Sequence, residues 1–168
     1  MVRKVTMNKS SKHNPHLFIL MTLVFLAALA CVTVTRFFDT TTVNIFANQG
    51  WQETAANIVQ GQQVIIEVVS GQWFEDPPGV WHDAGGNPDP WQCSLPSCHE
   101  PLPDFPKYAL IGRIGDTGKM LRIGLRLEFV AENSGQLYLR PNYGDVDIPI
   151  HQPEGSVRVK IIPHSAER

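Results

Sequence analysis

The sequence predicts an all-β domain that follows an apolar N-terminal segment. The 168 residues include 13 Gly and 13 Pro, and stretches of Ala, Leu, Glu and Lys are few, which disfavours a helical bundle. From about Val43 onward, short apolar or alternating runs recur between turn residues, a pattern typical of a β-sandwich or a barrel. We therefore expect one domain of ordinary size, made of antiparallel strands.

The N-terminal residues have a membrane-targeting pattern. Residues 1–16 contain Arg and Lys but no acidic residue, and 17–35 (LFILMTLVFLAALACVTVT) is uncharged until Arg36. A membrane-spanning helix needs about 20 apolar residues, and basic flanks stay in the cytoplasm, so 17–35 predicts a transmembrane signal anchor. We expect a single-pass protein of a bacterial inner membrane, whose C-terminal domain follows a linker at 36–42 and lies on the periplasmic or extracellular side.

Two other ways of processing this segment remain open. Ala28-Leu29-Ala30 has the small-x-small form of a signal-peptidase site, and acylation of Cys31 would produce a lipoprotein. Apolar character continues past Ala30 as far as Arg36, which favours the uncleaved anchor. Each outcome places the domain outside the cytoplasm.

Eight strands are predicted in the domain, which is expected to span 43–162 and to end in a loose tail at 163–168. The predicted strands are 42–47, 54–59, 63–69, 107–115, 119–124, 125–131, 136–140 and 156–162. The first two are short apolar runs between turn residues, and the third, QVIIEVV, is rich in β-branched residues. In the last strand, alternation places Val157, Val159 and Ile161 on the inward face.

Two tight turns predict antiparallel hairpins. The DTG turn at 116–118 joins the fourth predicted strand to the fifth, because Asp-x-Gly between two such runs suits a tight reversal. The ENSG turn at 132–135 joins the sixth predicted strand to the seventh in the same way. Along the seventh strand, Leu137 and Leu139 are expected on one face and Tyr138 and Arg140 on the other.

The long segment 74–106 is dense in Pro, Gly, Trp and His. A loop of this length is usually either functional or disordered, and its aromatic residues and cysteines favour order. Cys93 and Cys98, with four residues between them, can close a small disulfide loop in an oxidising compartment. The alternative is a zinc site of Cys93, Cys98, His99 and His82, although the histidine pair lacks the spacing of a structural zinc motif.

Charge and motifs argue against two functional classes. With 14 basic and 16 acidic residues and a net charge of -2, the chain lacks the basic footprint of a nucleic-acid-binding protein. It has no G-x-S-x-G, no P-loop and no H-E-x-x-H, since His99-Glu100 is followed by Pro-Leu-Pro. We therefore expect neither nucleic-acid binding nor catalysis.

Four motifs, taken in order and spacing, resemble the LecA-like galactose-binding domain, the family of calcium-dependent galactophilic bacterial lectins. They are GQQVIIEVVSGQW at 61–73, ALIGRIG at 109–115, LYLRPN at 137–142 and EGSVRVKI at 154–161. The resemblance covers essentially all of the chain after the membrane segment, and the paired cysteines also fit the family's small disulfide loop. It implies an antiparallel β-sandwich, a galactose-binding-like jelly roll, with calcium and sugar held by loops at one end.

The resemblance weakens at the calcium site. Where the family has amide or acidic pairs, this chain has Asn142-Tyr143 and Gln152-Pro153. Calcium takes about six to eight oxygen ligands, so other side chains would have to complete its shell. The predicted calcium ligands are Asp76, Asn142, Asp145, Asp147 and Glu154.

A sugar site is expected in the same loops. Such sites combine a flat aromatic face with a few fixed polar groups, whereas Trp73 is expected in the core. The predicted sugar contacts are Trp81, His82, Asp83, Asn87 and Asp89.

Two functions therefore remain open. The first is a cell-envelope, lectin-like module with a degenerate calcium site that binds a glycan such as a galactoside. The second is a non-catalytic structural or protein-interaction domain that has lost calcium and sugar binding.

Overall fold

Nine β-strands in two antiparallel sheets make up the described part of the chain. The computed structural model describes residues 40–75, 79–87, 99–145, 147 and 152–164, all of which belong to one compact unit, Phe37–Arg168. No helix occurs within these ranges, so none there is long and apolar enough to cross a membrane. The predicted anchor at 17–35 lies outside the described residues, and its membrane role stays a prediction.

The strands are, in chain order, β1 (Thr41–Phe46), β2 (Gln52–Ile58), β3 (Gln63–Glu75), β4 (Val80–His82), β5 (Leu110–Ile114), β6 (Leu121–Arg122), β7 (Arg126–Val130), β8 (Gly135–Pro141) and β9 (Glu154–His164). The first sheet has the order β1-β9-β3-β4, and β7 also pairs with β3. The second sheet has the order β2-β8-β5-β6. The described part is therefore all-β, as the composition predicts.

The two sheets share one hydrophobic core, which makes the fold a sandwich. In β9, Val157, Val159 and Ile161 are fully buried, as alternation along a strand predicts. Leu137 and Leu139 of β8 join the same cluster from the second sheet. Trp73 is also fully buried in this core, so its expected structural role is confirmed.

The first predicted hairpin is confirmed and the second is wrong. β5 and β6 pair antiparallel across the 116–118 turn, although β5 begins only at Leu110, because Tyr108 has a φ of 65° that interrupts an extended strand. β7 and β8, by contrast, lie in different sheets.

Backbone and side-chain hydrogen bonds explain the crossing between the sheets. The amide of Ala131, at the end of β7, donates to the Gln62 carbonyl beside β3 (2.8 Å). Two residues later, Asn133 Nδ2 donates to the Ile114 carbonyl of the second sheet (3.0 Å). The 132–135 segment therefore connects the two sheets instead of reversing the chain within one.

β3 is longer than predicted, and β4 lies inside the segment predicted as a loop. The ladder between β3 and β9 shifts register between Val68 and Ser70, which marks a β-bulge. Beyond the bulge the strand continues to Glu75 and pairs with β4.

β1 and β3 end, and β9 begins, at the same end of the sandwich. Phe46 and Phe74 are paired with Ser156 and Glu154 at the start of β9. The short 47–51 connection then brings the chain to β2 in the second sheet. Of the residues predicted to bind calcium and sugar, those that the structure describes lie at or near this end.

Candidate functional site

A notch interrupts one edge of β3. β7 pairs with that edge from Gln63 to Glu67, and β4 pairs with it from Trp73 to Glu75. In the described part no strand pairs with residues 68–72 on this side, although the Val68 amide donates to the Leu125 carbonyl (2.9 Å). The notch is thus the gap between two short strands that lie end to end.

An open groove at the notch is lined by Gly71, Gln72, Trp81 and Asp83. Gly71 has a φ of 98°, and a Cβ atom there would clash with the Ser156 carbonyl oxygen. Only glycine fits such a conformation and such a close approach without strain. Gly71 therefore lets the bulged strand stay against β9 at the floor of the groove.

Trp81 provides a flat apolar surface beside the groove. It is 53% exposed, although its ring centroid lies 5.2 Å from that of Phe74. Trp81 Cζ3 also lies against Gly155 of β9, 3.0 Å from the position that a Cβ atom on Gly155 would have. The indole is thus supported by β3 and β9 while more than half of its surface faces solvent.

Asp83 places a fixed carboxylate in the same groove. Its Oδ1 accepts a hydrogen bond from the Gly85 amide (2.8 Å), and its carbonyl accepts one from the Gly86 amide (3.0 Å). These bonds form a short turn directly after β4 and orient the exposed Asp83 side chain. The groove therefore combines an exposed indole with a carboxylate and the Gln72 amide.

His82 lies on the opposite face of β4 from Trp81 and is buried. Its ring stacks on Tyr108 at 5.8 Å between centroids, and Tyr108 stacks on Tyr143 at 4.7 Å. Lys107 Nζ lies 5.4 Å and 5.0 Å from the centroids of the two tyrosine rings. We call these three stacked rings the aromatic column; it places His82 inside the domain, away from the groove.

The other predicted sugar contacts are placed differently. The Asn87 amide donates to the Lys107 carbonyl (2.8 Å), which ties the segment after β4 to the segment before β5. Asp89 lies outside the described residues.

Asn142, a predicted calcium ligand, is fully buried and bonded to protein. Its Nδ2 donates to the carbonyls of Leu102 (2.8 Å), Phe105 (3.0 Å) and Pro106 (3.3 Å). Its Oδ1 accepts a hydrogen bond from the Leu102 amide (3.0 Å). The side chain therefore holds the 102–106 loop in place.

The acidic residues predicted to bind calcium have separate neighbours. Asp145 Oδ1 lies 2.8 Å from Arg140 Nη2, and Asp147 Oδ1 lies 4.0 Å from His99 Nδ1. Glu154 is paired with Phe74 in the ladder between β9 and β3.

In the described ranges no three His, Cys, Asp or Glu side chains group closely enough to hold a metal ion. The described members of the predicted set thus do not fit a calcium shell of converging oxygen atoms. Asp76 lies outside the described residues, as do Cys93 and Cys98 with their predicted disulfide or zinc site. Calcium binding stays a prediction.

Comparisons with known proteins find similarity among solved structures, and it is distant. No protein-family model matches this chain, and a search of curated proteins finds no match. Among solved structures, the chain is similar to one described as "EclA N-terminal domain; PllA-like lectin". The TM-score is 0.49 at 15% sequence identity, over 77% of this chain and 100% of that one. A similarity this distant identifies neither a family nor a function for this chain.

Of the predicted sugar contacts, Trp81 and Asp83 line the groove, while Gly71 and Gln72, which complete it, are not among the predicted residues. Gly71 and Gln72 lie beyond the predicted end of the third strand, at 69. The sequence signal was the Ser-Gly pair at 70–71, since an isolated Gly in a strand pattern suggests a bulge or a close backbone approach.

Proposed function

We propose that this domain is a non-catalytic carbohydrate-binding module and that its sugar site is the groove at the notch in β3. The observation that carries the proposal is the exposed, supported indole of Trp81 beside the oriented carboxylate of Asp83. The C–H face of a sugar ring packs against an indole, while hydroxyl groups need fixed hydrogen-bond partners. Asp83 accepts such bonds, and the Gln72 amide both donates and accepts them.

The proposed contacts involve no metal ion. We further propose, from the sequence alone, that 17–35 anchors the module in a bacterial inner membrane and that the domain lies on the periplasmic or extracellular side.

The test is binding of the full-length chain, kept in detergent because of the apolar segment, to an array of neutral glycans including galactosides. Trp81→Ala should weaken binding about tenfold or more, because the stacking surface is lost. Asp83→Asn should weaken it less, because the amide still accepts one hydrogen bond. Phe46→Ala, at another exposed aromatic residue, is the matched control and should bind like the wild type.

Each measurement is made with calcium and with a chelator. Wild-type affinity retained by Trp81→Ala would contradict the proposed site. Failure of the wild-type chain to bind any glycan in either condition would contradict the proposed function.

One observation favours the alternative, a protein-interaction domain. Val69, Val80 and Leu125 are exposed apolar residues near the notch, and exposed apolar side chains that lie together often mark an interface. If the glycan array is negative, loss of a partner protein on substitution of Leu125 by Asp would support this alternative.

A further inference from the structure

A second group of aromatic and cationic side chains lies in the other sheet. Trp51 immediately precedes β2, and two guanidinium carbons lie over its ring, Arg113 Cζ at 4.4 Å and Arg140 Cζ at 5.4 Å from the centroid. Arg113 also lies over the Tyr138 ring at 5.6 Å. Arg113 and Tyr138 are cross-strand partners in β5 and β8, so they share a face of the second sheet.

The two arginines differ in how the protein satisfies them. Arg140 is 1% exposed and ion-paired with Asp145 at 2.8 Å. Its guanidinium also donates to the carbonyls of Pro141 (3.2 Å) and Tyr143. The charge of Arg140 is therefore neutralised inside the fold.

Arg113 lies against two aromatic rings, but its charge and its N–H donors are only partly satisfied. Its side chain is 21% exposed, and its Nη2 lies 4.0 Å from Oδ1 of Asp116, whose side chain is 84% exposed. That distance exceeds a hydrogen bond. Arg113 Nε is buried and has no hydrogen-bond partner among the described residues. A buried donor without a partner is costly, so the fold leaves the guanidinium of Arg113 incompletely satisfied.

We propose that Arg113, Trp51 and Tyr138 form a binding site for a carboxylate carried on a sugar ring, as in a uronic acid. Contact with two aromatic rings restricts the movement of the guanidinium, whose fork of N–H donors matches the two oxygens of a carboxylate. A single positive charge, paired only loosely with the exposed Asp116, suits a singly charged anion better than a phosphate. The half-buried edges of Trp51 and Tyr138 supply apolar surface for the ring of the sugar.

This site is independent of the groove at Trp81. Trp81 lies in the first sheet, whereas Arg113 and Tyr138 lie in the second. Failure of one proposal therefore leaves the other standing.

The test is NMR titration of the full-length chain in detergent with glucuronate, with glucose, acetate and inorganic phosphate as separate probes. Glucuronate should give saturable shifts at the Trp51 indole and at the amides of Arg113 and Tyr138. Glucose should leave these resonances unchanged, and acetate and phosphate should bind more weakly than glucuronate.

Variants separate charge from geometry. Arg113→Gln should abolish the shifts, and Arg113→Lys, which keeps the charge but loses the planar fork, should weaken binding about tenfold. The matched control is Arg126→Gln, at an exposed arginine of the first sheet that is paired with Glu128; it should bind like the wild type. Melting temperatures establish that each variant is folded. If Arg113→Gln does not fold, Arg113→Lys and the wild-type titration still test the proposal.

Four results would overturn the proposal. They are the absence of glucuronate shifts at these resonances, equal binding of glucose, acetate binding as tight as that of glucuronate, and unchanged affinity in Arg113→Lys. Shifts produced by an acidic peptide but not by glucuronate would overturn it in favour of a protein partner.

Discussion

Replacement of Asn142 by Ala is the sharpest test of how the loop end of the domain is held together. Asn142 is fully buried, and its amide makes three short hydrogen bonds to the 102–106 loop, at 2.8, 3.0 and 3.0 Å. Each buried hydrogen bond contributes about 1 kcal/mol, so their loss should lower the free energy of unfolding by about 3 kcal/mol. The Leu102 amide and carbonyl would lose their side-chain partner, which adds to the cost.

The assay is urea unfolding of the full-length chain, with and without a calcium chelator. Asn133→Ala is the matched control, because Asn133 is exposed and donates a single hydrogen bond, to the Ile114 carbonyl (3.0 Å). That variant should lose about 1 kcal/mol. Faster hydrogen exchange of the Leu102 amide in Asn142→Ala would locate the defect in the loop.

The chelator distinguishes the two roles that Asn142 could have. If Asn142 bonds only to protein, its substitution should lower the free energy of unfolding by the same amount with and without calcium. If it is a calcium ligand, the loss should be larger when calcium is present. Two results would contradict the structural role of Asn142. They are a loss of unfolding free energy in Asn142→Ala no larger than in Asn133→Ala, and a loss that appears only when calcium is present.

Two further predictions concern Gly71 and Tyr143, and urea unfolding measures both. Gly71→Ala should cost about 3 kcal/mol, because φ is 98° and the new Cβ would meet the Ser156 carbonyl. Gly61→Ala, also at positive φ but in open space, should cost only about 1 kcal/mol, and equal costs would contradict the close approach at the notch. Tyr143→Ala should cost roughly 3 to 5 kcal/mol, because the ring is buried and stacked on Tyr108; a cost below about 1 kcal/mol would rule out the aromatic column as a structural support.

Alternation predicted which face of a strand is buried, but it could not predict partners. Leu137 and Leu139 are buried as expected because period-two burial is a local property of the chain. The turn at 132–135 has the same composition in a hairpin as in a crossing between sheets. Long-range hydrogen bonds decide between the two arrangements, namely those from Ala131 to Gln62 and from Asn133 to Ile114. A local sequence pattern therefore could not show that this turn connects two sheets and does not form a hairpin.

The candidate site shows the same limit. Trp81, His82 and Asp83 were grouped from the sequence because they are adjacent in a loop-like segment. Val80–His82 is instead a strand, and alternation turns His82 into the aromatic column while Trp81 stays outside. A strand of three residues flanked by Pro and Gly is too short to leave a periodic signal in the sequence. The prediction of a loop over this strand therefore follows from its length.

The loop end and the proposed binding surfaces perform different tasks in this domain. At the loop end, Asn142, Arg140 and the aromatic column join the segments before β5 and after β8 through bonds within the protein. The groove at Trp81 and the cluster at Arg113 contain the side chains that stay accessible or poorly satisfied. A loop held by internal contacts does not need a ligand to order it, so its stability should be insensitive to sugar. Ligand binding at the groove should instead raise the melting temperature only by mass action, in proportion to affinity and concentration.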